Sequence, residues 1–133
     1  MGTYISFARE DSPCYMHISA ASAFFHTLIY AAGYRKPCPD CGQLHHGKLF
    51  PEPPKNYKTR GFPADVQEPF LPMVYWRDCP GWYARIDHKH CLAIAKRIEE
   101  VIPKLNEQDA AWAKAFADDF RYNAKVKRAV IFS

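Results

Sequence analysis

Cys38 and Cys41, in the segment Cys38-Pro39-Asp40-Cys41-Gly42, place the tightest local restriction on how this chain folds. Two thiolates at this spacing bind one metal ion when the turn between them is tight. Gly42 permits a left-handed backbone after the second cysteine, so that backbone amides can point at the sulfurs. A thioredoxin-like redox pair has the same spacing but lies at the start of a helix, and no helical pattern follows Gly42. The segment is therefore interpreted as half of a Zn²⁺ site.

The second half of the site is predicted in the first turn of a downstream helix. Asp87 has the position of an N-cap, which places His88 and Cys91 three residues apart on one helix face. The positive end of a helix also favours the thiolate form of a cysteine. We thus expect one structural zinc ion bound by Cys38, Cys41, His88 and Cys91. Other ligands stay open, namely His45, His46, His90 and Cys79, and so does a metal-free pair of reduced thiols.

The order of knuckle, β-hairpin and helix resembles the treble-clef zinc module. The resemblance is carried by Cys38-Pro39-Asp40-Cys41-Gly42, by the hairpin predicted over residues 73–86, and by His88-Lys89-His90-Cys91. It covers residues 37–102 and differs from the usual pattern in the helix histidine and in a long loop before the hairpin. Treble-clef modules serve ribosomal, nuclease, nucleic-acid-binding and protein-binding roles. The resemblance therefore implies a metal and an architecture, not a function.

Local patterns predict the elements at the two ends of the chain. Strands are expected over residues 3–8 and 14–19, joined into a hairpin by turn residues. A helix follows over residues 20–32, with Ser19 as its N-cap and Gly33 at its C-terminal end. Near the other terminus, residues 127–133 have the apolar centre of a final strand.

The middle of the chain is predicted to hold a second hairpin and two helices. The hairpin strands are expected over residues 73–77 and 82–86. The next helix begins after Asp87, has a regular apolar stripe that includes Cys91, and ends or kinks at Pro103. Asn106 is the N-cap predicted for the following helix.

The predicted elements favour an α+β fold with a mostly antiparallel sheet and about three helices, because hairpins outnumber crossover units. A chain of 133 residues suits a single domain. Six prolines between residues 48 and 72 predict a long, partly extended loop there.

Composition narrows the class of protein without naming a function. The hydrophobic share is 48%, the charged share is 24% and the net charge is +4, all ordinary for a globular domain. No apolar run approaches the ~20 residues of a membrane span, and the N-terminus has no signal-peptide pattern. We expect a cytoplasmic protein with no membrane contact. In that reducing setting, five cysteines point to metal binding or free thiols.

Catalysis is not expected from the sequence. Four protein ligands close a tetrahedral zinc ion and leave no position for water. The sequence contains no His-Glu-x-x-His, no phosphate-binding glycine loop and no nucleophile elbow. A lesser alternative is a metal-dependent nuclease of the His-Asn-His type, with His45-His46 and Asp87-His88 as its nearest candidates.

Binding of another macromolecule is the expected role, with a protein partner ahead of nucleic acid. Exposed aromatic residues beside a proline-rich loop suit a protein-binding surface. The alternative is a nucleic-acid-binding zinc protein, because loop 48–62 interleaves cations with aromatic rings. The predicted binding surface comprises Lys55, Tyr57, Lys58, Arg60, Phe62, Trp76 and Trp82. Such an adaptor or inhibitor would suit a phage or a mobile element.

Overall fold

The computed structural model describes residues 4–57, 62, 66–75 and 85–132. Within these ranges the strands are β1 (Tyr4–Ser6), β2 (Met16–His17), β3 (Arg85–Ile86) and β4 (Val130–Phe132). The helices are α1 (Ile18–Ala31), α2 (Leu71–Tyr75), α3 (His88–Val101) and α4 (Glu107–Val126), with a 3₁₀ turn at Ile102–Lys104. The predicted α+β class with an antiparallel sheet is confirmed. No helix in the described ranges has both the length and the apolar character to cross a membrane.

The described strands form one sheet in the order β2-β1-β4-β3, with every neighbouring pair antiparallel. Ile5 pairs with Met16 on one side and with Phe132 on the other. Alternate strand residues point to opposite faces of a sheet. One face, with Ile5, Ile86 and Val130, is buried in the hydrophobic core beside the helices. The other face is open to solvent.

The predicted N-terminal hairpin is confirmed, because β1 and β2 pair antiparallel. The following helix begins two residues earlier than expected, and its N-cap is His17 rather than Ser19. The His17 imidazole accepts a hydrogen bond from the Ser19 backbone N–H at 3.2 Å, so Ser19 is the capped residue and not the cap. The helix ends at Ala31, and Gly33 has the predicted left-handed position just beyond its C-terminus, with φ +100°. The Tyr34 N–H donates to the Ile29 carbonyl in a Schellman arrangement.

Both predicted caps of the C-terminal half are confirmed. Asp87 accepts from the Lys89 N–H at 3.0 Å at the start of α3, and Asn106 accepts from the Asp109 N–H at 2.8 Å at the start of α4. The buried stripe of α3 packs along α4. Pro103 lies in the 3₁₀ turn that separates the two helices, where its ring prevents α3 from continuing.

The prediction of a strand over residues 73–77 is wrong for residues 73–75, which belong to helix α2. Phe70, Leu71 and Met73 are all buried. Residues three apart, such as Phe70 and Met73, lie on the same side of a helical turn, so a helix directs both toward the core. The Glu68 carboxylate begins the turn by accepting from the Phe70 N–H at 3.1 Å. Residues 76–84, which carry the predicted turn and most of the second strand, lie outside the described part of the chain.

Candidate metal centre

Cys38 and Cys41 lie in a closed loop, residues 34–48, which we call the metal loop. Tyr34 and Lys48 form an isolated parallel bridge at its base. The Arg35 N–H donates to the Lys48 carbonyl at 2.9 Å, and the Lys48 N–H donates to the Gly33 carbonyl at 3.1 Å. The loop therefore begins and ends beside the C-terminus of α1.

The base of the metal loop is also held by side chains. The Arg35 guanidinium donates to the Tyr30 carbonyl in the last turn of α1 and to the Tyr34 carbonyl just beyond it, each at 2.7 Å. Gly47 has φ +73°, and a Cβ atom there would lie 2.7 Å from the Gly33 carbonyl oxygen. Only glycine fits this closure without displacing backbone.

The buried anchor of the loop is Tyr34. Its hydroxyl donates to Glu68 Oε1 at 2.7 Å. Burial, followed by this hydrogen bond, raises the pKa of Tyr34 to about 12. The base of the loop thereby connects to an ion pair between Glu68 and Arg97 of α3.

The cysteines themselves lie in a tight knuckle. The Gly42 N–H donates to the Cys38 carbonyl at 2.8 Å, and the Cys38 N–H donates to the Gln43 carbonyl at 2.8 Å. Gly42 has φ +72°, the left-handed conformation for which glycine is suited. Backbone N–H groups of Asp40 and Cys41 interact with the Cys38 thiol. The turn thus directs amides at a sulfur, as expected from the position of the glycine.

Three donor atoms converge at the tip of the loop. The Cys38 sulfur, the Cys41 sulfur and a ring nitrogen of His45 all lie within 4.8 Å of one another. The Cys41 sulfur is 3.2 Å from His45 Nε2. Among the described residues, this is the one group of three or more histidine, cysteine and carboxylate side chains close enough to share an ion. Cys41 and His45 are exposed, and Cys38 is half-buried.

The electrostatics of the knuckle favour a thiolate. Hydrogen bonds from the backbone amides of Cys41 and Asp40, with smaller effects of the His45 and Cys41 side chains, lower the pKa of Cys38 to about 7. Donors that stabilise the charged form always act in this direction. Since the thiolate is the form that binds metal, the loop is prepared for a cation at neutral pH.

In metal-free protein, we expect Cys38 to react with iodoacetamide with a midpoint near pH 7, because its pKa is lowered to about 7. Reactivity should be high above this pH and should fall as the thiolate is protonated below it. Cys91, whose pKa burial raises to about 12, should stay unmodified in the native protein. Peptide mass spectrometry after timed alkylation from pH 5 to 9 measures both sites. A Cys38 midpoint near the ordinary ~8.5 would contradict the geometry of the knuckle.

The structure does not bring His88 and Cys91 to the cysteine pair, because neither belongs to the three-residue group. Cys91 is fully buried in the core stripe of α3, and its thiol donates to the Asp87 carbonyl at 3.5 Å. His88 Nδ1 lies 3.1 Å from an Asp87 carboxylate oxygen. The four residues preferred from the sequence are therefore not brought together, and the side chain beside the cysteine pair is that of His45, one of the alternates.

The other alternates have different surroundings. His46 is exposed and lies outside the group. His90 is buried, and its Nε2 lies 2.6 Å from the Phe62 carbonyl, so that nitrogen carries the proton and donates. The remaining alternate, Cys79, lies outside the described residues.

The predicted binding surface is only partly described. Lys55 is exposed. The Tyr57 ring packs against Phe62 and Tyr75, with centroids 5.6 Å apart in both cases. These two predicted surface aromatics thus have packing partners within the protein. Lys58, Arg60, Trp76 and Trp82 lie outside the described part of the chain.

Comparison of the chain with protein-family models, with curated proteins and with solved structures finds no match in any of the three.

The residues that close the metal loop were not predicted from the sequence. Gly33, Gly47 and Lys48 set its base, and Tyr34 anchors it. The signal in the sequence was the pair of glycines on either side of this segment, Gly33 and Gly47. Glycine is favoured where the backbone has a positive φ, and both residues have one in the structure.

Proposed function

We propose that this chain is a small, non-catalytic zinc-binding protein in which the metal fixes the exposed metal loop for contact with another macromolecule. The observation that supports it is the convergence of Cys38, Cys41 and His45 donor atoms within 4.8 Å. A protein partner is preferred to nucleic acid, as the sequence suggested. An intracellular, reducing setting fits the proposal, because it keeps the thiols available for metal.

The donor set favours zinc over other common cations. Two thiolates and one imidazole are soft and borderline ligands, whereas Ca²⁺ and Mg²⁺ prefer oxygen. Zinc binds four ligands in structural sites. The fourth ligand is not assigned. His46 and Cys79 remain the candidates within this chain.

The position of the site supports a structural role. Catalytic metals usually lie in shaped cavities that limit access of bulk water, while Cys41 and His45 are exposed side chains of a surface loop. A His-Asn-His-type nuclease needs a general-base histidine apart from its metal ligands. Here His45 belongs to the donor group, and His88 pairs with the carboxylate of Asp87. These contacts favour a binding protein over a nuclease.

Purified protein should contain about one zinc ion per chain, as a single site requires. Replacement of any member of the group, by Cys38→Ser, Cys41→Ser or His45→Ala, should remove the bound zinc. The matched controls are His88→Ala and Cys91→Ala, which should keep it. Elemental analysis by mass spectrometry measures the stoichiometry. Retention of zinc in Cys38→Ser, or its loss in His88→Ala, would reject the ligand assignment.

Zinc removal should change the loop more than the fold. The three converging donors belong to one loop, so they tie no distant elements together, unlike the four-ligand set expected from the sequence. After chelation, far-ultraviolet circular dichroism should retain the helical signal of α1, α3 and α4. Loss of that signal would show that the metal joins the loop to another element.

A further inference from the structure

The solvent-facing side of the sheet is a second surface with recognisable chemistry. We call it the open sheet face. Cross-strand pairs place Tyr4 opposite His17, Ser6 opposite Ile131, and Ile131 opposite Arg85. Tyr15 lies two residues before His17 and stacks on Tyr4, so it belongs to the same face. The face therefore comprises Tyr4, Ser6, Tyr15, His17, Ile131 and Arg85.

Two tyrosine rings form the aromatic part of this face. Tyr4 and Tyr15 are stacked with ring centroids 5.1 Å apart and an angle of 5° between the planes. The His17 ring meets Tyr4 edge-on at 5.5 Å. Tyr15 is 60% exposed and Tyr4 is 38% exposed, so the neighbouring residues cover each ring only in part. The stack holds the rings in fixed orientations while leaving aromatic surface accessible to a ligand.

The charge of the face is positive. Arg85 is exposed, and none of the six residues of the face is acidic. Lys127 and Arg128, both exposed, lie three and two residues before β4 in the link from α4, and Arg128 lines a pocket with Glu10 and Tyr122 rather than the open sheet face. Asp87 follows β3, but its carboxylate accepts from the Lys89 N–H and pairs with His88. Arg85 lies across β4 from the two rings, so the face complements an extended ligand that offers flat bases at one edge of the sheet and phosphates at the other.

We propose that the open sheet face binds single-stranded nucleic acid, with bases stacking on Tyr15 and Tyr4 and phosphates contacting Arg85. Stacking on aromatic rings needs unpaired bases, because bases in a duplex present only their edges. None of the six residues of the face belongs to the metal loop or to loop 48–62. The face therefore stands independently of the zinc site and of the earlier nucleic-acid alternative.

The test is fluorescence anisotropy with the full chain and labelled 15-nucleotide oligothymidine, oligouridine and a 15-base-pair duplex. Both single strands should bind, more tightly than the duplex, and binding should weaken as salt rises. Tyr15→Ala should weaken binding about tenfold, whereas Tyr15→Phe should preserve it because the ring remains. Arg85→Gln should weaken binding and reduce its salt dependence.

The matched control is Tyr30→Ala, because Tyr30 is 40% exposed but lies on α1. It should bind as tightly as the unmodified protein, and so should the unmodified protein after treatment with a chelator, which tests independence from zinc. Equal affinity for duplex and single strands, or an unchanged affinity in Tyr15→Ala, would overturn the proposal. So would a dimer seen by light scattering that Tyr15→Ala dissociates, in a protein that binds no oligonucleotide, because a second copy would then occupy the face.

Discussion

Replacing Glu68 with alanine should lower the free energy of unfolding by about 3 kcal/mol, because it breaks a buried ion pair from one side. Glu68 is 1% exposed. Its Oε1 accepts from Arg97 Nη2 at 3.0 Å and from the Tyr34 hydroxyl at 2.7 Å, and its Oε2 accepts from the Phe70 N–H. The alanine variant leaves all three donors without this carboxylate. Equilibrium urea unfolding followed by circular dichroism measures the loss.

The matched control is Glu100→Ala, because Glu100 pairs with the same arginine from the surface. Its carboxylate lies 2.9 Å from Arg97 Nη1, and its side chain is 63% exposed. Exposed pairs contribute little, so this variant should lose less than about 1 kcal/mol. Similar losses in the two glutamate variants would show that burial does not distinguish the two pairs.

The Glu68 network matters to the candidate site because it is the buried support of the metal loop. Tyr34 bridges to Lys48 at the base of that loop and donates to Glu68, which pairs with Arg97 of α3. The loop tip with the three converging donors is less buried than this base, since Cys41 and His45 are exposed and Cys38 is half-buried. Core stability and loop position are therefore linked through one tyrosine side chain.

The long helices could be predicted from the sequence because their signals are local. Asp87 and Asn106 cap α3 and α4 through neighbouring amides, and the apolar stripe repeats at helical spacing. The β1–β2 hairpin is also local, since only residues 7–15 separate its strands. Such signals are contained in windows of ten to twenty residues.

The sheet order and helix α2 could not be predicted in this way. β4 pairs with β1 from the opposite end of the chain, and with β3. No local pattern specifies such partners. The five residues of α2 are too few to show a period, so their β-branched and aromatic members favoured a strand until tertiary burial decided otherwise.

The candidate site was half predictable, and the missing half has a physical reason. The spacing of Cys38 and Cys41 identified the pair, and Gly42 identified its turn. From the sequence, Cys91 was assigned both to the site and to the apolar stripe of its helix. In the structure it belongs to the stripe, because its thiol is fully buried. Choosing His45 among the alternates required the course of the chain after Gly42, which the loop closure determines.

Replacing Phe116 with alanine should also be strongly destabilising, by about 3–5 kcal/mol. Phe116 is fully buried in α4. Its ring lies 5.2 Å from Phe24, 5.7 Å from Phe25 and 6.0 Å from Phe7, between centroids. The substitution leaves a cavity where β1, α1 and α4 meet and removes three aromatic contacts. Urea unfolding measures the loss, and Phe116→Leu replaces the alanine variant if that one does not fold.

The control for this prediction is Trp112→Ala, four residues earlier on the same helix. Trp112 is 40% exposed, so the transfer and cavity costs are smaller although the side chain is larger. We expect a loss below about 1.5 kcal/mol, which Phe116→Leu should match or exceed. Trp112 lines the groove between α1 and α4. If Trp112→Ala were the more destabilising of the two alanine variants, packing in that groove would contribute more to stability than packing around Phe116. The aromatic cluster around Phe116 would then not be the packing that holds the sheet against the helices.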